Sequence, residues 1–252
     1  MSYSNTFLAL LNEAQFTKEI LGIGATQIRK ANYAKKGIYY QSFTCLSTGL
    51  ERIGKMCILL DYYINSDGGF PDLNYVKNKI GHDIGLIYKE SLSIAEKRMI
   101  DFDFLKDLNG EIHQNILSIL SDYAKGDRYS NINILLGSQL ISDSMKRWYE
   151  TVDTILFEKH VTKKKKERLL RNAEIIHQLT EEFTLVRHIA EDGKSIESVK
   201  TTSFKTGMQE SIAVYRQLYI LQIIRFWVEL VIELQYKAMQ LGKHDIPHLS
   251  EI

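Results

Sequence analysis

The chain has 252 residues, with 32 Lys and Arg against 31 Asp and Glu, a formal net charge of +1, 44% hydrophobic residues and only 2 prolines. Such a length supports a sizeable core, and the near-neutral balance argues against broad electrostatic capture of nucleic acid while leaving room for a local basic site. Because Pro breaks helix interiors, the Pro-free stretches Met1 to Phe70 and Asp72 to Ile246 predict an all-α protein.

The two cysteines, Cys45 and Cys57, lie twelve residues apart on a predicted helix and match no metal or redox spacing. They read as buried or half-buried thiols of a reducing compartment. The opening MSYSNTFLALL shows no basic region or cleavage site, so no signal peptide is expected and the cytoplasm is the default. Ser211 to Leu241 is apolar, but Arg216, Arg225, Glu229 and Glu233 interrupt it. It therefore predicts a long amphipathic core helix, and no membrane partner.

In chain order, a first helix is expected from Ser4 to Ala34, with Gly22 and Gly24 loosening its middle. The central helix, Gln41 to Asn65, carries Phe43, Leu46, Leu50, Ile53, Cys57, Leu60 and Ile64 in steps of three and four, one stripe of an α-helix. Its other side mixes Ile58, Leu59 and Tyr62 with Glu51 and Lys55, which predicts packing on two sides. Asp67 to Asp72 is a loop, since Gly68-Gly69 permits positive φ and Pro71 disfavours helix before it. A third helix is expected over Leu73 to Arg98, its stripe Val76, Ile80, Ile84, Ile87, Ser91 and Ile94, with Asp83 inside that stripe and His82 on its flank.

After a connector at Phe102 to Asn109, a fourth helix spans Gly110 to Lys125 through Ile112, Ile116, Ile119, Leu120 and Tyr123, and a polar turn follows at Gly126 to Asn131. Two charged amphipathic helices are expected at Ser142 to Val161 and Glu167 to Ala190, separated by the run Lys163 to Lys166. In the second, Ile176, Leu179, Phe183 and Val186 are the expected core stripe. Asp192 to Gly207 reads as a polar loop and Gly242 to Ile252 as a frayed tail.

Two constellations bear chemistry. Glu51 and Lys55, and likewise Lys79 and Asp83, are four apart and share a helical face, so each can form a local ion pair. With His82, Arg128 and Tyr129 they could line a polar cleft, or form a polar network that fixes the bundle. The second is Arg171-Asn172 followed by His177. Metal-ligand spacing is not found, and no metal or cofactor is expected.

The order Glu51…Lys55, then Lys79-Ile80-Gly81-His82-Asp83-Ile84, then Asp127-Arg128-Tyr129, resembles the HEPN superfamily of helical nucleotide-binding or ribonuclease domains, over about Tyr39 to Gly137. The resemblance implies a bundle of four or five helices, often dimeric, with polar residues in a cleft. Its catalytic members cut RNA without metal through an R-x4-6-H motif. No His follows Arg128 in that range, whereas Arg171, Asn172 and His177 satisfy the motif, so these three are the expected catalytic residues. Glu51, Lys55, Lys79, His82, Asp83, Arg128 and Tyr129 are the expected polar cleft or nucleotide-binding residues.

The resemblance thus implies a HEPN-like bundle over 1–140 and a C-terminal helical extension over 141–252 packing on it, or one continuous domain. The implied function is binding or cleavage of RNA or a nucleotide by a homodimer, as a metal-independent endoribonuclease in a prokaryotic defence or toxin–antitoxin system. An antitoxin or nucleotidyltransferase would be its protein partner. The alternative is a non-catalytic helical interaction and dimerisation module.

Overall fold

The spine of the bundle in the computed structural model is α2, Gly37–Asn65. The structure describes residues 3–66, 69–137 and 143–249, without the side chains of Asn78 and Lys79. Within them the protein is an all-α helical bundle with one short hairpin. The seven-residue stripe from Phe43 to Ile64 is buried throughout.

Helix α1, Asn5–Gln27, is capped by Ser4, whose Oγ accepts the Phe7 N–H at 3.1 Å. It runs straight through Gly22 and Gly24 rather than loosening there, and ends in a 3-10 turn at Ile28–Lys30. Gly24 has a different use. A Cβ there would lie 2.6 Å from Leu46 Cγ, and one at Gly49 would lie 2.6 Å from Leu21 Cγ. The two glycines let α1 and α2 approach each other closely.

The expected third helix is two pieces. Asp72 caps the short α3, Leu73–Tyr75, which passes into a π-turn at Val76–Ile80. Gly81, at φ 54°, then breaks the helix, and α4, Ile84–Lys97, starts afresh. Asp83 therefore does not sit in an apolar stripe. It is the N-cap of α4, with Oδ1 accepting the Leu86 N–H at 3.1 Å, while Ile84, Ile87, Ser91 and Ile94 face the core. Helix α5, Glu111–Lys125, buries the five residues expected of it. A 3-10 turn, Asp127–Tyr129, leads into α6, Ser130–Leu135.

Beyond this, α7 (Ser144–Trp148) continues through a π-turn (Tyr149–Asp153) into α8, Thr154–His160; Ser142 lies outside the described residues. The π-turn matters because five residues make about one π-turn, so Trp148 and Asp153 fall on one side, and Trp148 Nε1 donates to Asp153 Oδ1 at 2.9 Å.

The C-terminal half departs most from expectation. Lys163 to Lys166 do not separate two helices. They form the first turn of α9, Lys163–Thr180, capped by Thr162. Nor does that helix reach Ala190, since it closes in a 3-10 turn at Glu181–Phe183. Its expected stripe is largely wet, with Ile176, Leu179 and Phe183 exposed at 43%, 70% and 86%, and Val186 alone of the four buried. The buried contact is made instead by Ala173, with Leu169 set against Gly207.

An antiparallel hairpin takes the end of that expected helix and the start of the expected polar loop: β1 (His188–Ile189) pairs with β2 (Ser195–Ile196) in the register His188 to Ile196 and Ile189 to Ser195. It covers Tyr33 in a small second cluster with Val186, Ala190 and Val199. Helix α10, Val199–Gln240, starts well before Ser211 because Ser198 caps it. The tail is not frayed as far as Leu249: Ile246 and Leu249 are buried, and Lys243 Nζ donates to the Ser66 carbonyl at 2.9 Å. No helix among the described residues is long and apolar enough to cross a membrane.

One main core draws side chains from Leu10 through Leu249. At its centre Arg216 of α10 donates to Asp153 Oδ1 at 2.7 Å and Oδ2 at 2.6 Å, to Tyr39 Oη at 2.9 Å and to the Ala31 carbonyl at 2.7 Å. Burial opposes the charge on Arg216, but the Asp153 carboxylate outweighs it and holds the guanidinium above its ordinary pKa.

Candidate anion-binding cleft

Beside the N-terminal turns of α1, side chains of α1 and α2 line a cleft of about 880 Å³. Leu10, Met56, Leu59 and Phe70 give it an apolar wall, and Glu13, Glu51, Arg52, Lys55, His82 and Arg128 give it a polar one. Helical spacing sets Lys55 Nζ 2.6 Å from Glu51 Oε1. The break at Gly81 delivers His82 from the other side. Its Nδ1 stands 3.0 Å from Glu51 Oε1 and 3.1 Å from Oε2. The Glu51 side chain is 16% exposed and that of His82 71%, so a largely sheltered carboxylate orients a solvent-facing imidazole. His82 Nε2 has no hydrogen-bond partner among the described residues.

Arg52 pairs with Glu13 at 3.2 Å and lies over the Phe16 ring at 4.5 Å. Arg128 is exposed at the 3-10 turn, its guanidinium 5.0 Å from the Tyr129 ring centroid. Among the described residues, no carboxylate lies within ion-pair distance of it. Among the described residues, three cations thus line the cleft with two carboxylates, both of which are already engaged, and His82 stands beside them. The surplus suits an anion with an apolar portion.

Of the residues expected in the cleft, Glu51, Lys55, His82 and Arg128 come together there. Asp83 does not. It lines a separate depression of about 330 Å³ and accepts from Ser121 Oγ at 3.0 Å and Lys125 Nζ at 3.1 Å. Burial pushes its carboxyl pKa up, but these bonds and the Leu86 N–H outweigh that and hold it below the usual range. Among the described residues, Tyr129 meets the site through Arg128, whose guanidinium lies over its ring, and does not itself line the cleft. The Lys79 side chain lies outside the described residues. Glu51, Asp83 and Arg128 accordingly form no single buried network; that role falls to Asp153 and Arg216.

Arg171, Asn172 and His177 are not brought together. Helix α9 runs unbroken from Lys163 to Thr180, so Arg171 and His177 sit about 120° apart around the axis and roughly 9 Å apart along it. Arg171 and Asn172 face solvent, whereas His177 Nε2 lies 3.3 Å from Glu181 Oε2. Convergence would need a bend, and none is present.

Arg52 and Glu13 escaped the sequence reading because they lie 39 residues apart and no local spacing links them. Among the described residues no three His, Cys, Asp or Glu side chains group as metal ligands. Comparison with protein-family models, with curated proteins and with solved structures gives no match to this chain.

Proposed function

We propose that this is a HEPN-like protein that binds RNA or a nucleotide in the α1–α2 cleft, with His82 and Arg128, rather than Arg171 and His177, as the groups that act on the phosphodiester. The observation that carries the reading is the Glu51–His82 contact opening onto the cleft that Arg128 also lines. Arg128, Arg52 and Lys55 supply charge to a phosphate. With Nδ1 held by Glu51, His82 Nε2 is free to take the proton of an RNA 2′-hydroxyl as that oxygen attacks the adjacent phosphorus. The bond to the 5′-oxygen breaks, and the proton returns to that leaving oxygen. Arg128 stabilises the charge that builds on the phosphorane oxygens.

The test uses the full chain with 5′-labelled single-stranded RNA and with nucleoside monophosphates. Arg128→Ala is expected to weaken binding about tenfold, the worth of one charge-assisted contact. His82→Ala is expected to remove cleavage and leave binding intact. Wild-type binding that neither Arg128→Ala nor Lys55→Ala alters would overturn the cleft assignment. In a defence or toxin–antitoxin setting, His82→Ala rather than His177→Ala would relieve toxicity, and a homodimer with an antitoxin or nucleotidyltransferase partner belongs to the same reading. The interaction-module reading draws on a different feature, the wet apolar face of α9.

A further inference from the structure

Helix α9 presents one continuous line of side chains that the bundle does not use. Lys164, Arg168, Arg171, Ile175 and Leu179 follow steps of four, three, four and four, and Phe183 extends the line into the terminal 3-10 turn. Its N-terminal half is cationic. Lys164, Arg168 and Arg171 are exposed and have no carboxylate within ion-pair distance among the described residues, although the neighbouring Lys166, Glu174 and His177 are all paired. The C-terminal half is apolar, with Ile175, Leu179 and Phe183 exposed at 53%, 70% and 86%. A surface line of three large apolar residues next to three unpaired cations is a patch that costs solubility unless something covers it.

We infer that this face of α9 docks an amphipathic helix of a partner protein that carries carboxylates at one end and apolar anchors at the other. Charge complementarity selects that occupant. A second copy would oppose Arg168 to Arg168 in a parallel pairing. In an antiparallel pairing about Ile175 it would match Arg168 to Glu182 but set Arg171 against Leu179. Nucleic acid would neutralise the cations through its phosphates, but an unbroken aliphatic row at helical spacing, Ile175 to Leu179, matches the apolar face of a helix better than it matches base edges. An acidic amphipathic helix satisfies both halves at once, over a span of about 30 Å from Lys163 to Phe183.

The test is binding of the full-length protein to a synthetic helical peptide of about 20 residues, long enough to cover that span. The peptide bears Leu at i, i+4 and i+7 and a Glu cluster at one end; a second version has Lys for every Glu. The acidic peptide is expected to bind at least about tenfold tighter than the basic one, and more weakly as salt rises. Arg168→Glu with Arg171→Glu is expected to reverse the preference. Leu179→Asp is expected to weaken both, with an unchanged circular dichroism spectrum. Equal binding of the two peptides would overturn the assignment. So would a face that ignores the acidic peptide but takes up a uridine oligonucleotide or phosphatidylserine vesicles in a manner lost on charge reversal. These outcomes are independent of the α1–α2 cleft, which none of the variants touches.

Discussion

Arg216 and Asp153, 63 residues apart in the chain, meet with neither side chain accessible to solvent and 2.6 Å between Nη2 and Oδ2. The pair ties α10 to the π-turn between α7 and α8, and through Tyr39 to α2. Breaking a buried pair on one side strands the other charge, at a cost of about 3–5 kcal/mol. Asp153→Ala should therefore bring the protein close to unfolding, given total stabilities of about 5–15 kcal/mol. The apolar double replacement Asp153→Leu with Arg216→Met should cost less than either single change. Urea midpoints of Asp153→Leu, Arg216→Met and the double variant decide it: a double variant weaker than both singles would show the pair to be a net source of stability.

Asp83 makes stability depend on acid. Its folded pKa is depressed, so its contribution is present above the ordinary carboxylate value, about pH 4, and is lost as pH falls through the folded value. Urea unfolding at pH 6, 4 and 3 should show a fall that Asp83→Asn flattens. An unchanged slope in the variant would mean that the α4 cap and the Lys125 contact contribute nothing to the acid limb.

Gly54 stands where α2 crosses α4. A methyl built there would overlap the Ile87 side chain and lie 3.2 Å from Trp227 Nε1. Gly54→Ala should cost about 1–3 kcal/mol, as overpacking does. Gly22→Ala, on the open side of α1 with nothing within 4 Å, should instead gain about 0.5–1 kcal/mol from helix propensity. Thermal melts of the two variants should move in opposite directions.

The orientation of α9 is checked by a matched pair. Leu179→Ser, at an exposed site, should change stability by no more than about 0.5 kcal/mol. Ala173→Leu, at a buried one, should cost about 1–3 kcal/mol. The reverse ranking would put the Leu179 face against the bundle and remove the basis for a docking surface there.

Periodicity by itself determined the all-α class, the spine helix and its stripe from Phe43 to Ile64, because on α2 the apolar arc is wide and there is only one way to bury it. The same reasoning chose the wrong arc on α9. That helix offers two narrow apolar arcs, and which of them is buried depends on where α10 lies, a long-range fact with no local signature. The cleft was legible in part. Glu51 and Lys55 declare themselves by a spacing of four, but His82 reaches Glu51 only because Gly81 breaks a helix that the apolar pattern would have continued. Arg52 with Glu13, and Arg216 with Asp153, were invisible for one reason: a charge pair formed across tens of residues leaves no mark on either local sequence. Only the closed bundle brings its members together, and only burial there makes the Arg216–Asp153 pair costly to break.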